Sequence, residues 1–538
     1  MVVNSFIQST RALLIKFGVD APDIRIEGLT LDSREVNTKT AFIAVKGHER
    51  DGRDFIPQAI SLGARVILAQ TDDSQAHGQM EMRDHSVIIS LYQLPSMLSA
   101  LAAAFYDYPA LKMTTVAVTG TNGKTSTVQL LTQLKDALGT RSASVGTLGS
   151  SVFEGENTQW VTTAAANTTP DAIRLQYVLA DFVQCEVRHT AFEASSHALV
   201  QGRLSQVKTD IAVFTNLTRD HLDYHGTMEE YAKAKRLLLD QPGLEAVVLN
   251  VNDEESLHWA QYLNAKAENA NAENDSSAID SIKKIERKPE IIRVWTGFEP
   301  SSDVLSTHKQ PQDRHCFATN VSYHSSGIRF DLVSSWGTAP VELALFGSFN
   351  VSNALSAIGC LLAQNERFEN VVRVVNNLQP VPGRMEVFPV EGSASMVVDY
   401  AHTPDALEQV LKSARTHTTG KVWCVFGCGG DRDKGKRPLM GAAAEQHADV
   451  IVITTDNSRS ESPESIASDI KAGLKRPNDA VEEADRENAI RYCLARANED
   501  DIIIVAGKGH EDYQIIGTQQ TDYNERTVVA RLQQEYKK

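Results

Sequence analysis

The stretch AVTGTNGKTSTVQLLTQL, Ala117–Leu134, decides how the chain is read. An apolar run, TVAV, ends at Gly120. Gly123, Lys124 and Thr125 follow, and then an amphipathic segment that Gly139 brings to a stop. Strand, tight turn and helix in that order make a phosphate-binding loop. Backbone N–H groups face a concavity at a helix N-terminus, a lysine reaches the outer phosphates, and a hydroxyl faces magnesium. The common G-x-x-x-x-G-K-[ST] spacing would place its first glycine where Val118 stands. Here the extra glycine is Gly120, so the loop is a shortened form, and the helix behind it is expected over Thr125–Leu138.

Working outward, short apolar runs alternate with helical segments on both sides of this loop. HTAFEAS, DIAVFTNL and EAVVLNV follow it, and SMVVDYA, KVWCVFG, DVIVITT and DIIIVAG recur near the end of the chain. Buried strands alternating with helices predict an α/β protein with mainly parallel, doubly wound sheets. Before the loop, AFIAV and ARVILAQ between polar turns predict a small α/β domain. LQPVPGRMEVF, with two prolines and a glycine, predicts a domain joint. The expected domains are 1–112, 113–382 and 383–538. Within the second, the polar, low-complexity segment 265–290 is expected to be a surface insertion or mobile loop.

The 538 residues carry a net charge of -16, which argues against a nucleic-acid-binding surface. The N-terminal residues lack the pattern of a signal peptide, and no apolar run reaches the roughly 18 residues of a membrane span. Six cysteines without a C-x-x-C pair read as free thiols in a reducing compartment. The expected location is cytoplasmic.

Phosphate binding alone does not choose a reaction. Ligands of doubly wound sheets sit at the C-terminal ends of strands. There the sequence offers Glu193 in FEASSHAL, and His221 and His225 beside Asp220 and Asp223 in NLTRDHLDYHG. A carboxylate and an imidazole in that place suit a magnesium ion beside a nucleotide, although either histidine could equally serve as a cap. A zinc hydrolase would need H-E-x-x-H, and a serine hydrolase G-x-S-x-G; neither occurs. Lys235 in YAKAKRLLL is not distinguished from Lys233 by its surroundings in the sequence.

The motifs TGTNGKT, NTTPD, SSHALVQGR, TNLTRDHLDYHGTMEEYAKAK, FNVSNALSA, PGRMEV, DYAHTPDAL, GCGGDRDKGKRP and GKGHEDYQ occur in this order over nearly the whole chain. In this the sequence resembles the Mur ligases of bacterial cell-wall synthesis, whose own loop is G-x-x-G-K-[ST]. Many of them carry a glycine where Ala117 stands. The resemblance implies three domains: a UDP-substrate-binding domain, a central P-loop ATPase domain and a C-terminal Rossmann-like domain that receives an amino acid. It implies an ATP-dependent amide ligase working through an acyl phosphate in peptidoglycan precursor synthesis, and hence a part in cell shape and division. Gly120, Thr121, Asn122, Gly123, Lys124 and Thr125 would cradle ATP, with Asn353, Arg384 and Asp399 also on the nucleotide. Thr125, Glu193, His221 and a carbamylated Lys235 would hold magnesium. Leu31, Ser33, His48, Glu49 and Arg50 match uridine-binding positions. Asn167, Thr168, Thr169, Ser195, Gln201 and Arg203 match positions that hold the muramoyl peptide.

The resemblance leaves two amines to consider, meso-diaminopimelate and L-lysine, which differ by one carboxylate. A pocket for the former needs a cation, best a guanidinium able to bind a carboxylate with two hydrogen bonds. Diaminopimelate-type members share D-N-P-R; here it reads Asp456, Asn457, Ser458, Arg459. Arg432, Gly507 and Glu511 match the rest of that pocket, Glu511 suiting an ammonium group. The expected substrates are therefore UDP-MurNAc-L-Ala-D-Glu and meso-diaminopimelate, used by a monomer. The alternatives are the lysine-adding ligase, a folylpolyglutamate synthase, and a regulatory ATP-binding module that forms no bond.

Overall fold

A computed structural model describes residues 6–47, 50–153, 167–276, 288–296 and 313–536, with side chains described except over 270–276. Its contacts divide into two compact units. One comprises 1–128, 135–249 and 253–291; the other comprises 129–134, 250–252 and 292–538.

The first unit holds two sheets. In the N-terminal one, Gly28–Thr30, Thr40–Ala44, Val66–Thr71 and Ser86–Tyr92 lie in that order and run parallel, and Met80–Arg83 closes the edge antiparallel. Its runs are apolar throughout because both faces are covered. Ile43, Leu68 and Ile89 point to one core and Phe42, Ile67 and Ile88 to another. Helix Ala172–Gln184 joins the former core through Ile173 and Ala180.

The second sheet of this unit orders Gly149–Val152, Ser142–Gly146, His189–Glu193, Thr114–Thr119, Ile211–Phe214 and Ala246–Asn250. All neighbours are parallel except the first pair. Ala117, Val145, Phe192, Phe214 and Trp259 share its core. The parallel register brings the ends of Thr114–Thr119, His189–Glu193 and Ile211–Phe214 to one edge, which is where the loop from Gly120 begins. That loop leads into helix Lys124–Ala137, one residue earlier than the sequence predicts at its start.

In the second unit, Arg314–His324, Gly327–Ser334 and Gly337–Leu343 form an antiparallel meander. Helices Phe349–Ala363 and Phe368–Val375 follow it. The C-terminal sheet orders Glu386–Phe388, Ser395–Asp399, Ile502–Ala506, Val422–Phe426, Val450–Ile453 and Val481–Glu482. All are parallel but the first. Period-two alternation splits its side chains between two cores. Val397, Cys424 and Ile504 pack on one face, and Val398, Val425 and Ile503 on the other.

These sheets and helices agree with the α/β class read from the sequence. One expectation is corrected. Helix Glu255–Ser276 runs through the first part of the segment expected to be a loop. AKAENANAEN is polar, yet its alanines and glutamates are strong helix formers that outweigh its asparagines, so low hydrophobicity does not mean absence of structure there. Residues 277–287 lie outside the described part. Among the described residues no helix is long and apolar enough to cross a membrane.

Candidate functional site

At the end of strand Thr114–Thr119 the chain turns at Gly120 with φ +150°, where a Cβ would lie 1.9 Å from Thr215 Oγ1. Only glycine fits so close an approach. The segment after Ile211–Phe214 supports the loop. Thr121 N–H donates to Asn216 O at 2.9 Å, and Asn122 N–H to Asn216 Oδ1 at 2.9 Å. Thr215 Oγ1 donates to Asn122 O at 2.6 Å. The Lys124 ammonium folds over the loop, donating to the carbonyls of Gly120 and Thr121, each at 2.8 Å.

A second ammonium reaches the same carbonyl. Lys235 Nζ lies 2.8 Å from Gly120 O and is only 2% exposed, on the buried face that Tyr231, Ala232 and Ala234 share on helix Met228–Arg236. Its ring neighbour is Tyr231, with Nζ 4.3 Å from the centroid. Burial first, and the charge of Lys124 second, hold the Lys235 amine well below the usual lysine range. Lys233, by contrast, pairs on the surface with Glu229 and Glu230. Burial thus separates two lysines that the sequence left equivalent.

Glu193 ends the neighbouring strand and is 1% exposed. Its Oε1 accepts from Thr125 Oγ1 at 3.0 Å and from Thr147 N–H at 2.7 Å, and its Oε2 accepts from Thr147 Oγ1 at 3.2 Å. Gly146 makes room for it, since a Cβ there would lie 2.3 Å from Glu193 Oε1. Thr169 Oγ1 donates to the Glu193 carbonyl at 2.7 Å and accepts from Ser195 N–H at 3.1 Å, so the NTTPD segment docks on the same strand end. Thr168 Oγ1 is 3.3 Å from Thr147 Oγ1, and Asn167 is exposed. Arg203 donates to Thr169 O at 2.6 Å and to Gln201 Oε1; Gln201 Nε2 donates to Tyr224 Oη at 3.3 Å. Ser195 itself caps the short helix Ser196–Val200.

His221 has a left-handed backbone, φ +52°, with Nε2 3.5 Å from Asp220 Oδ2. Burial lowers its pKa, Asp220 opposes that shift, and Lys124 and Lys235 add to it. A neutral imidazole is the form that binds a metal. His197, which the sequence reading did not single out, packs its ring 4.9 Å from His221 and 5.3 Å from His225. Its only sequence signal is its place in SSHAL. His225 Nε2 is 2.9 Å from Ser196 Oγ, a bond that anchors a helix start. Among the described residues no group of three or more His, Cys, Asp or Glu gathers as a cation cage.

In the N-terminal sheet, Leu31 and Ser33 follow Gly28–Thr30, and Arg50 follows Thr40–Ala44. The parallel register puts both loops at one sheet edge. Ser33 Oγ donates to Gln58 Oε1 at 2.9 Å, and Arg50 is exposed. His48 and Glu49 lie outside the described residues.

The second unit gathers another set at the C-terminal ends of its parallel strands. Asp399 accepts from Met385 N–H and Ala401 N–H, both at 2.8 Å. Burial raises its pKa, and Arg384 and those amides oppose the rise. The Arg384 guanidinium lies 4.7 Å above the Tyr400 ring. Asn353, within helix Phe349–Ala363, donates to Asn350 Oδ1 at 2.9 Å.

Asp456–Arg459 follow strand Val450–Ile453, and Gly507 to Glu511 follow Ile502–Ala506. Gly507 has φ +112°, and a Cβ on it would lie 2.7 Å from Asp456 Oδ2. Arg459 donates to Gly430 O at 2.8 Å and Asn457 O at 3.4 Å; among the described residues no carboxylate pairs with it. Arg432, on the same glycine-rich loop as Gly430, is exposed. The Ser458 hydroxyl is buried and has no hydrogen-bond partner among the described residues. Lys508 is fully buried and bonds Asn457 Oδ1 at 2.8 Å and Glu511 Oε2 at 2.9 Å. It is the second residue the sequence reading missed; a lysine between two glycines in GKGHED gave no sign of burial. Behind both loops Arg486 is fully enclosed. It pairs with Glu525 at 2.8 Å and donates to Ala506 O at 2.9 Å and Thr455 O at 3.4 Å.

Three family models match the chain in sequence: "Mur ligase family, catalytic domain" over 25–106, "Mur ligase middle domain" over 118–299 and 288–361, and "Mur ligase, glutamate ligase domain" over 383–509. A solved UDP-N-acetylmuramoyl-L-alanyl-D-glutamate–2,6-diaminopimelate ligase is 32% identical, covers 98% of this chain and 99% of its own, and has a TM-score of 0.64. The chain belongs to the Mur ligase family. The fold is shared more widely. The D-alanyl-D-alanyl-adding ligase of Acinetobacter baumannii has a TM-score of 0.64 at 16% identity, covering 99% of this chain and 100% of its own. The folylpolyglutamate synthase of Mycobacterium tuberculosis, solved with ADP and AMPPCP, has 0.56 at 17%, covering 77% and 92%. In this Mur ligase the loop from Gly120 to Thr125 lies at the start of the segment matched by the middle-domain model.

Proposed function

We propose that this Mur ligase uses ATP to join meso-diaminopimelate to the D-Glu carboxyl of UDP-MurNAc-L-Ala-D-Glu, through an acyl phosphate, in peptidoglycan precursor synthesis. In this reading residues 1–112 bind the UDP substrate, 113–382 bind ATP and 383–538 bind the amino acid. The observation that carries the choice of amine is Arg459. Its guanidinium bonds only backbone carbonyls among the described residues, leaving its charge available for a carboxylate that lysine lacks. The whole-length likeness to a diaminopimelate ligase supports it.

The loop Gly120–Thr125 would hold the phosphates on its N–H groups, Lys124 swinging from its own loop carbonyls to the outer phosphates. Asn353, Arg384 and Asp399 complete the nucleotide's contacts in this assignment. The peptide's carboxyl would lie among Thr168, Thr169, Ser195, Gln201 and Arg203, the D-Glu carboxylate attacking the terminal phosphate of ATP and ADP leaving with the bridging oxygen's electron pair. The diamine's free amino group then attacks the acyl carbonyl and phosphate departs. Positioning and positive charge carry such transfers, since the chain supplies little covalent chemistry.

Magnesium fits the residues present. Glu193 is a buried carboxylate whose partners are neutral threonine groups, with no ammonium or guanidinium paired to it among the described residues. Such a group calls for a cation. Thr125, Glu193, His221 and a carbamylated Lys235 would hold the ion, which when bound supplies positive charge to the phosphate oxygens. Lys235 suits carbamylation because an amine must be neutral to take up carbon dioxide, and its burial beside a second ammonium favours that form.

The test is phosphate release with ATP, magnesium and UDP-MurNAc-L-Ala-D-Glu, comparing meso-diaminopimelate with L-lysine. Release with diaminopimelate alone is expected. Preference for lysine would overturn the reading of Arg459, and release that needs neither amine nor dipeptide would overturn the ligase.

A further inference from the structure

Lys508 is an ammonium with no exposure, on the loop that carries Gly507 and Glu511. It closes a three-membered network. Its Nζ donates to Asn457 Oδ1 at 2.8 Å and to Glu511 Oε2 at 2.9 Å, and Asn457 Nδ2 donates to the same Glu511 oxygen at 3.1 Å. Asn457 Oδ1 also accepts from Ile515 N–H at 2.9 Å, so the network is anchored to the hairpin that follows. The Tyr513 ring covers the ammonium, its centroid 5.2 Å from Nζ.

This arrangement has an electrostatic consequence. A buried ammonium is tolerated only when paired, and Lys508 takes its counter-charge from Glu511. Glu511 therefore meets the pocket as one half of a neutral pair. Arg459, on the neighbouring loop, bonds backbone carbonyls and makes no ion pair among the described residues, the Asp431 carboxylate acting on it only through space. A side chain ending in both an ammonium and a carboxylate finds an oxygen acceptor and a guanidinium. One ending in an ammonium alone leaves that guanidinium without a carboxylate from the ligand.

We propose that Lys508 is a positioning and specificity-determining residue of the amino-acid pocket. It orients Asn457 and Glu511 and, by cancelling the charge of Glu511, makes the pocket favour a carboxylate-bearing diamine over lysine. This rests on the reading of the Asp456–Arg459 and Gly507–Glu511 loops as that pocket.

The experiment compares the full-length protein with Lys508→Met and Lys508→Gln. It measures kcat and KM for meso-diaminopimelate, L-lysine and ATP, with thermal unfolding alongside. In Lys508→Met, Glu511 becomes a bare anion. The KM for diaminopimelate is expected to rise by about tenfold or more, and the preference for diaminopimelate over lysine to fall by about tenfold, with the KM for ATP unchanged. Lys508→Gln keeps a donor toward Glu511 without the charge. It should restore part of the KM but little of the preference, and it serves alone if the methionine variant does not fold. Adding Glu511→Gln to Lys508→Met should remove the bare anion and recover part of the preference. A KM and preference unchanged in both single variants would overturn the role of Lys508 while leaving the pocket in place. Equal loss toward both amines and ATP would reduce Lys508 to a fold residue. A wild-type enzyme that turns over neither amine would instead overturn the reading of the pocket.

Discussion

Lys235 and Ser458 show what single positions contribute. The Lys235 amine shares the Gly120 carbonyl with Lys124, an arrangement that two fixed positive charges would resist. Lys235→Ala is expected to lose nearly all ligation and to recover a part when short carboxylic acids such as formate are added. Assays of phosphate release check this, and full activity in the variant would remove the carbamate. Ser458 stands where diaminopimelate-type relatives carry proline, and its buried hydroxyl lacks a partner. An unpaired buried hydroxyl costs about 1 kcal/mol or more, so Ser458→Ala should raise the thermal midpoint by a few degrees with the KM for the amine little changed. A lowered midpoint would mean that the hydroxyl is bonded after all. The residue scale is also where the sequence was hardest to read. Glu193, His221 and Lys124 stood out because they lie at strand ends or in a loop motif. Lys235 needed the resemblance, and Lys508 escaped altogether. Burial of a lysine depends on which loop covers it, and local composition does not record that.

Elements were more legible. SMVVDYA, KVWCVFG, DVIVITT and DIIIVAG contain the strands Ser395–Asp399, Val422–Phe426, Val450–Ile453 and Ile502–Ala506, because continuous apolar runs mark strands covered on both faces. Helix Glu255–Ser276 was misread where the run lost its apolar face, for propensity rather than packing carries it there. Strand His189–Glu193 holds a titratable cost. Burial, with Lys135 adding, depresses the His189 pKa to about 3, against 6.5 for the free side chain. Above pH 6.5 the imidazole is neutral in both states and the strand keeps its full stability. As pH falls from 6.5 toward 3 the unfolded chain takes a proton that the folded strand refuses, so stability falls with pH. His189→Gln should flatten the dependence of the urea midpoint between about pH 7 and pH 4.5. An unchanged slope would assign the effect elsewhere.

For the molecule as a whole, the order of motifs along the chain was the strongest signal. It carries the family resemblance by itself, and the three family models match along the chain in the same order. The sequence could not say which segments would make one compact unit. Packing of helix Ala172–Gln184 on the N-terminal sheet rests on Ile173 and Ala180, residues that any amphipathic helix might carry. The pairing of Arg486 with Glu525 was equally silent, 39 positions apart with nothing periodic between them. Yet that pair decides what the end of the chain is for. Glu525 opens the last helix, Glu525–Glu535, and its partner grips the strand ends from which Asp456 and Gly507 depart. A frameshift or stop codon that removed only this helix would spare all the residues assigned to substrate. It would still strand a guanidinium in the interior, beneath the strand ends that carry Asp456 and Gly507. The final turns of the chain are thus a counter-ion for the interior, and deleting them would leave that charge without its partner.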